Sequence, residues 1–232
     1  MKFSGKAFFE HKPLVFFLLS RFPTQFVREF YGEEFLSPIE CFALSGYNEK
    51  IYNNLNLTSE STAIVVGGYL GNSVSKLIQK YPCKIFIVEP VPEYTAFLRN
   101  KFINFKQVSI CELALSDRSG RAYLQIKGES SNIVTSNDLK SIEVTTESAS
   151  VFIQSIAEKI DFLELNIEGS EYVVLKDLIN SAQIQNIQNI AIQFHKKDEY
   201  SELMRADLRF KLSKTHIEAW NHEWVWEFWT KL

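Results

Sequence analysis

Three glycines fall within five positions, Gly67, Gly68 and Gly71, in the run Val65-Val-Gly-Gly-Tyr-Leu-Gly71. Glycine lets a backbone turn sharply and come close to a ligand. The run joins an apolar stretch, Ala63-Ile-Val-Val66, to a segment with helical periodicity, and a helix N-terminus offers free N–H groups. About 20 residues further on, the run Lys84-Ile-Phe-Ile-Val88 closes on Glu89 and Pro90, near the spacing at which a carboxylate meets ribose hydroxyls in nucleotide-binding βαβ units. Loop and acid together point to a nucleotide-type ligand; the alternative is a tight turn and a solvated strand end. A dinucleotide fingerprint would read G-x-G-x-x-G, whereas this loop reads G-G-x-x-G and no second nucleotide half follows. NAD is therefore disfavoured.

These residues need elements to hold them. From Thr62 onward, short β-rich runs alternate with helical stretches, the pattern of βαβ units and a parallel sheet. Ala63–Val66 is a continuous apolar run of the kind a strand buried on both faces requires, and Lys84–Val88 and Ile160–Leu165 read as further strands. Asn72 and Ser73 are suited to cap a helix that carries Val74, Leu77 and Ile78 on one face and stops at Pro82. A second helix spans Pro92–Lys101. Val108–Leu115 reads as a third strand, and Ser116-Asp-Arg-Ser-Gly120 as a turn into a strand near Ala122–Ile126, which suggests an antiparallel hairpin. Residues 128–140 read as polar loop. A strand over Ile142–Thr145, a helix near Ser148–Ile156, a helix from Ser170, a strand from Ile187 to Phe194 ending at His195, and a helix near Glu199–Leu212 follow. Two late strands are expected, His216–Trp220 and Glu223–Trp229, the second with Trp224 and Trp226 on one face.

Composition sets the outer bounds. The 232 residues are 46% hydrophobic and 23% charged, with a net charge of -3, the profile of a soluble globular chain. Such a charge argues against a nucleic-acid binder that relies on counterion release, and no run of 18 apolar residues exists to span a membrane. The 3 cysteines, Cys41, Cys83 and Cys111, form neither a disulfide framework nor a zinc ribbon, so a cytoplasmic location is expected. Nine of the 19 Phe precede Leu36. Phe22, Phe26 and Phe30 would line one face of a helix from about Pro23 to Phe35, and the short apolar run Leu14–Leu19 lacks the flanks of a signal peptide. The expected organisation is an N-terminal helical extension over residues 1–60 and one α/β domain over 61–232. The early phenylalanines make a homodimer an open expectation.

Four ordered segments resemble one family. Val65–Gly71, Phe86-Ile-Val-Glu-Pro90 with Pro92, Ala114-Leu-Ser-Asp117 with Gly120, and Phe162-Leu-Glu-Leu-Asn-Ile-Glu-Gly-Ser-Glu-Tyr172 are similar to the FkbM-type methyltransferases, class I enzymes that use S-adenosyl-L-methionine. The resemblance covers about Ser61 to the C-terminus. It implies a Rossmann-like sheet of seven strands with the last antiparallel, and methyl transfer to a hydroxyl of a sugar or polysaccharide precursor. N-methylation, methylation of another small metabolite and a non-catalytic interaction protein on the same fold are the alternatives. Carried over by position, the cofactor-binding set is Gly67, Gly68, Tyr69, Gly71, Asn72, Ser73, Glu89, Pro90 and Ala114, with Glu89 on the ribose hydroxyls. Tyr69 stands where the family commonly has Asn, so its ring would cover the cofactor.

Open α/β sheets bind ligands at the carboxyl ends of their strands, and Asn166, Glu168 and His195 should project there. Asn166 occupies a usual Asp position and Gln193 one that is often Glu. An amide is neither a base nor as good a metal ligand as a carboxylate, so no metal is expected. Methyl transfer to a hydroxyl releases a proton, and His195 is the best-suited base by its unperturbed pKa of about 6.5. Glu168 is the second candidate; its other role would be to interact with the dipole of the helix beginning at Ser170.

Overall fold

The structure, a computed structural model, describes residues 42, 46–53, 55–125, 132–134 and 141–232, with backbone alone for 47, 48 and 132–134. The expected helix at Pro23–Phe35 lies outside the described residues. The chain divides into two compact units, Met1–Asn53 and Asn54–Leu232. The first contributes a one-turn helix, Tyr47–Lys50. All further description concerns the second.

Five adjacent strands run parallel in a seven-stranded sheet and reach one of its edges: β1 (Thr62–Val66), β2 (Lys84–Val88), β3 (Val108–Cys111), β8 (Ile160–Leu165) and β9 (Ile187–Ile192). Two late strands, β10 (His216–His222) and β11 (Trp226–Lys231), complete the order β10-β11-β9-β8-β1-β2-β3. The last strand, β11, is antiparallel to both of its neighbours, as the sequence led us to expect. All five residues of β1 are buried, which explains its unbroken apolar run.

Helices cover both faces of this sheet. Helices α3 (Ala149–Ile156), α4 (Glu171–Asn180) and α5 (Ser201–Leu212) bury Phe152, Ile153, Val174, Leu175, Leu178, Leu208 and Leu212 in one core with Ile64, Val66, Leu163, Leu165, Ile190 and Ile192. Helices α1 (Asn72–Lys80) and α2 (Pro92–Lys101) bury Val74, Leu77 and Leu98. Ser73 of α1 reaches across to Glu164 of β8 (2.6 Å), which places α1 on the face carrying that carboxylate. Among the described residues no helix is long and apolar enough to cross a membrane.

Four expectations need correction. The run Val108–Leu115 is two strands, because Leu113 N–H turns back to the Cys111 carbonyl (3.1 Å) where pairing with β2 ends. The second part, β4 (Ala114–Ser116), joins a separate sheet with β5 (Gly120–Gln125), β6 (Asn132–Val134) and β7 (Ser141–Ser148), in the order β4-β7-β5-β6. The expected hairpin across Ser116–Gly120 is therefore absent: β4 and β5 lie on opposite sides of β7, where Ala114 and Gly120 both pair with Thr146. This arrangement buries Ala114, Leu124 and Val144 with Val91. The strand β6 also occupies part of the stretch read as loop. Finally, Trp224 lies outside the last strand, which begins at Trp226. β10 and β11 pair only as far as His222 opposite Trp226, so the intervening residues reverse the chain and Trp224 takes a φ of 59°.

A buried ion network fastens this hairpin to α5. Arg205, 8% exposed, donates from Nε to Glu227 Oε1 (2.7 Å), and Arg209 pairs with Glu227 Oε2 (2.6 Å). Trp229 Nε1 donates to the same Oε2 (3.0 Å). Glu227 is 1% exposed and serves two guanidinium groups, which keep only the more exposed Glu223 and Glu218 as counter-charges once it is neutralised. Glu227→Gln is expected to lower unfolding free energy by about 3–5 kcal/mol in urea titrations. A loss below about 0.5 kcal/mol would show that the network does not hold the hairpin.

Candidate active site

The parallel register aligns strand ends. Val66 pairs with Val88 and Leu165, Leu165 with Ile192, and Val88 with Cys111. The next residues, Gly67, Glu89, Asn166 and Gln193, therefore stand in a row along the carboxyl edge, with Glu168 and His195 close behind. Backbone bonds continue into the row: Gly67 N–H to the Val88 carbonyl (3.0 Å), Asn166 N–H to that of Val66 (3.1 Å) and Gln193 N–H to that of Leu165 (2.9 Å).

The glycines are demanded first by the chain itself. A Cβ at Gly67, whose φ is 92°, would lie 2.0 Å from the Asn166 carbonyl oxygen. At Gly68 it would lie 2.4 Å from Ile87 Cγ2, and at Gly71 2.6 Å from the Phe102 ring. Close approach was expected toward a ligand; the structure shows it toward Asn166, Ile87 and Phe102 of the chain itself. Gly71, with φ 72°, is also the N-cap of α1, so Asn72 and Ser73 are its first helical residues and not caps. Asn72 is exposed, and the Ser73 hydroxyl is turned to Glu164.

Glu89 sits beneath this loop, 5% exposed. Its Oε2 accepts the Tyr69 N–H (2.9 Å) and its Oε1 the Val91 N–H (3.0 Å). Burial raises its pKa, while the two backbone bonds oppose the rise. Each carboxylate oxygen has two acceptor positions, so one remains on each, a donor–acceptor match for two vicinal hydroxyls. The chemistry of this group thus fits a ribose. The Tyr69 ring meets Tyr94 edge-to-face at 4.8 Å. Pro90 is half-buried, and Ala114 is buried with Val91 beside the Glu89 turn.

At the other end of the row, His195 lies between two carboxylates. Its Nε2 is 3.1 Å from Glu168 Oε1 and its Nδ1 3.2 Å from Glu171 Oε1. Glu171 was not among the residues singled out from the sequence, yet its side chain is fully buried. Its Oε1 also accepts the His195 N–H (2.7 Å), and its Oε2 accepts the Gly169 N–H (2.8 Å). The Tyr172 hydroxyl donates to the His195 carbonyl (2.9 Å). Glu168 does not turn toward the helix that follows it; with φ 53°, it reaches His195 instead, and Lys197 Nζ stands 3.8 Å from its Oε2.

This setting changes the state expected of His195. Burial alone would depress its pKa, but the hydrogen bonds and charges of Glu168 and Glu171 outweigh burial and hold it at about 9. In this arrangement the ring is an imidazolium at neutral pH, and it becomes a base only when Glu168 withdraws from Nε2. Glu168 is shifted the other way: burial raises its pKa, but His195 and Lys197 bring it below the usual carboxylate range.

A histidine with a folded pKa above its unfolded value of about 6.5 stabilises the fold fully below that pH. The contribution is lost as pH rises through about 9. In urea titrations the stability gap between the wild type and His195→Gln should therefore be widest near pH 6 and shrink toward pH 10. A gap that stays constant or widens over that range would contradict the ion-paired imidazolium.

A family model for the methyltransferase FkbM domain matches residues 66–214. Methyltransferase FkbM from Methylobacillus flagellatus KT superposes with a TM-score of 0.51 at 13% identity, covering 97% of this chain and 60% of its own. This chain thus spans well under two thirds of that protein. A candidate methyltransferase from Streptococcus mutans in complex with SAH gives a TM-score of 0.53 at 11% identity, covering 85% and 99% of the two chains. A candidate rRNA methylase from Clostridium thermocellum gives 0.52 at 10%, covering 81% and 94%. No curated protein matches the sequence. The solved structures establish a class I methyltransferase-like α/β fold, and the family model takes in the strand ends, Glu89, Glu171 and His195 over more than half of the chain, so the protein belongs to the FkbM methyltransferase family.

Proposed function

We propose that this chain is an S-adenosyl-L-methionine-dependent methyltransferase of the cytoplasm whose acceptor is a hydroxyl of a sugar or polysaccharide precursor. One observation carries the reading: a buried carboxylate with two acceptor positions to spare, Glu89, stands in the same row of strand ends as a histidine positioned to handle a proton. The cofactor supplies a methyl group on a sulfonium, whose transfer to oxygen leaves a neutral thioether.

The chain's residues have separate tasks. Glu89 takes the ribose hydroxyls and, through its bond to the Tyr69 N–H, keeps the glycine loop in place. Tyr69 and Tyr94 form an aromatic wall beside it. Asn166 and Gln193 line the row as neutral amides between the ribose carboxylate and the histidine. His195 receives the proton that the acceptor hydroxyl must lose, with Glu168 leaving Nε2 as the acceptor arrives. The SAH found in the Streptococcus mutans neighbour supports the cofactor class, and the family supports methyl transfer. The net charge of -3 supports a small-molecule or glycan acceptor over a nucleic acid.

Calorimetry with S-adenosyl-L-methionine and S-adenosylhomocysteine tests this. Both should bind, and Glu89→Ala should weaken binding by about 10–100-fold through the lost charge-assisted hydrogen bonds. His195→Ala should leave binding within a few-fold and lower turnover by about 100-fold or more. Absence of binding by either compound at millimolar concentration would leave a methyltransferase fold used for interaction alone. Equal loss of cofactor affinity in both variants would overturn the division of roles.

A further inference from the structure

We infer that Glu171 is the positioning residue of this site: it fixes His195 with its proton on Nδ1 and thereby assigns Nε2, where Glu168 now sits, to the acceptor hydroxyl. The inference rests on the proposed methyl transfer for its catalytic consequence, but its geometric core stands without it.

The two carboxylates differ in how well they tolerate the loss of a donor. The side chain of Glu171 has no exposed surface, and that of Glu168 is 19% exposed. Glu171 accepts the backbone N–H groups of Gly169 and His195, and its Oε1 lies 3.2 Å from Nδ1 of the His195 ring. If the ring gave up its Nδ1 proton, an imidazole lone pair would face a buried anion that water cannot reach, which is costly. Glu168 has Lys197 at 3.8 Å and partial access to solvent, so it can turn away from Nε2 and keep a counter-charge. The ring therefore gives up the Nε2 proton and keeps that on Nδ1.

The same three bonds tie the loop after β8 to the end of β9. Gly169 and Glu168 both take positive φ, 102° and 53°, so the loop needs an external hold to keep that shape. The Tyr172 hydroxyl on the His195 carbonyl adds a second tie from α4. The charged groups that act on the ring are Glu168 from the loop and Glu171 from α4. Lys197 acts on Glu168, and Arg205 of α5 lies over the neighbouring Phe194 ring at 6.0 Å.

In the reaction, Glu168 stands in for the acceptor in the resting site. An acceptor hydroxyl displaces it, the Nε2 proton leaves to solvent as the carboxylate swings away, and the hydroxyl then donates its hydrogen bond to the bare Nε2. As the oxygen forms its bond to the methyl carbon, the carbon–sulfur bond breaks, the electron pair stays on sulfur, and the hydroxyl proton passes to Nε2. The resulting imidazolium again lies against the Glu171 carboxylate, which stabilises it.

Nitrogen-15 NMR of histidine-labelled protein reads the tautomer directly, without cofactor or substrate. The chain has only 4 histidines, and His195→Gln identifies the signal. Well above pH 9 the wild type should show His195 protonated on Nδ1; protonation on Nε2 would overturn the inference even if every variant failed to fold. In Glu171→Gln the ring should become a mixture of tautomers and titrate about 1–3 pH units lower. Its kcat should fall about 100-fold or more, with cofactor affinity within a few-fold of the wild type. An unchanged tautomer and titration in Glu171→Gln would mean that Glu171 only braces the loop. If no methyl transfer is found but the tautomer follows Glu171, the proposed function fails while the positioning role stands.

Discussion

A single carboxylate with no exposed surface holds together the two chain segments on which the site depends. Glu171 stands at the first turn of α4, where the dipole favours an acid, and it accepts N–H groups from the loop after β8 and from the end of β9. Remove the side chain and all of these groups lose their partner at once. The loop would then be free to relax the strained backbone at Glu168, and the imidazole would lose its fixed tautomer. Few other contacts in the molecule bear on shape and chemistry together.

The surrounding fold exists to bring such groups into line. Parallel strands buried on both faces carry little chemistry along their length, so polar work falls to the residues just past their ends. Register does the rest: Gly67, Glu89, Asn166 and Gln193 are side by side because Val66, Val88, Leu165 and Ile192 are paired. Two of the three carboxylates of the site, Glu89 and Glu168, have opposite surroundings. Glu89 is buried among backbone donors, and burial raises its pKa; Glu168 faces two cations and is lowered. The small sheet packs against the Glu89 turn through Val91, and the β10–β11 hairpin brings Trp224 beside Lys196 at the end of β9 (5.5 Å).

Much of this was legible in the sequence, and the omissions have physical reasons. The strands Lys84–Val88 and Ile160–Leu165 and the helix Pro92–Lys101 match their expected bounds, because burial on both faces and a proline at a helix start are local signals. Strand pairing is not local, so the turn at Ser116–Gly120 suggested a hairpin where β7 intervenes. The glycine loop was found for a reason that proved incomplete: nothing in the run Val65–Gly71 says that Asn166, Ile87 and Phe102 will crowd it. Glu171 escaped notice because an acid in the first turn of a helix reads as a surface partner of the dipole. Its burial against His195 is set by strand order. The signal available was the close placement of Glu168 and Glu171 beside Gly169, directly after a buried strand.

The central claim is that the row of strand ends binds the cofactor between Glu89 and His195. A crystal structure of the complex with S-adenosylhomocysteine tests it most directly. The account predicts density along Gly67–Gly71, ribose hydroxyls within hydrogen-bond distance of both Glu89 oxygens, and the sulfur on the His195 side of the row with the Glu171 contacts retained. A ribose away from Glu89, or a ligand bound outside the row, would contradict it.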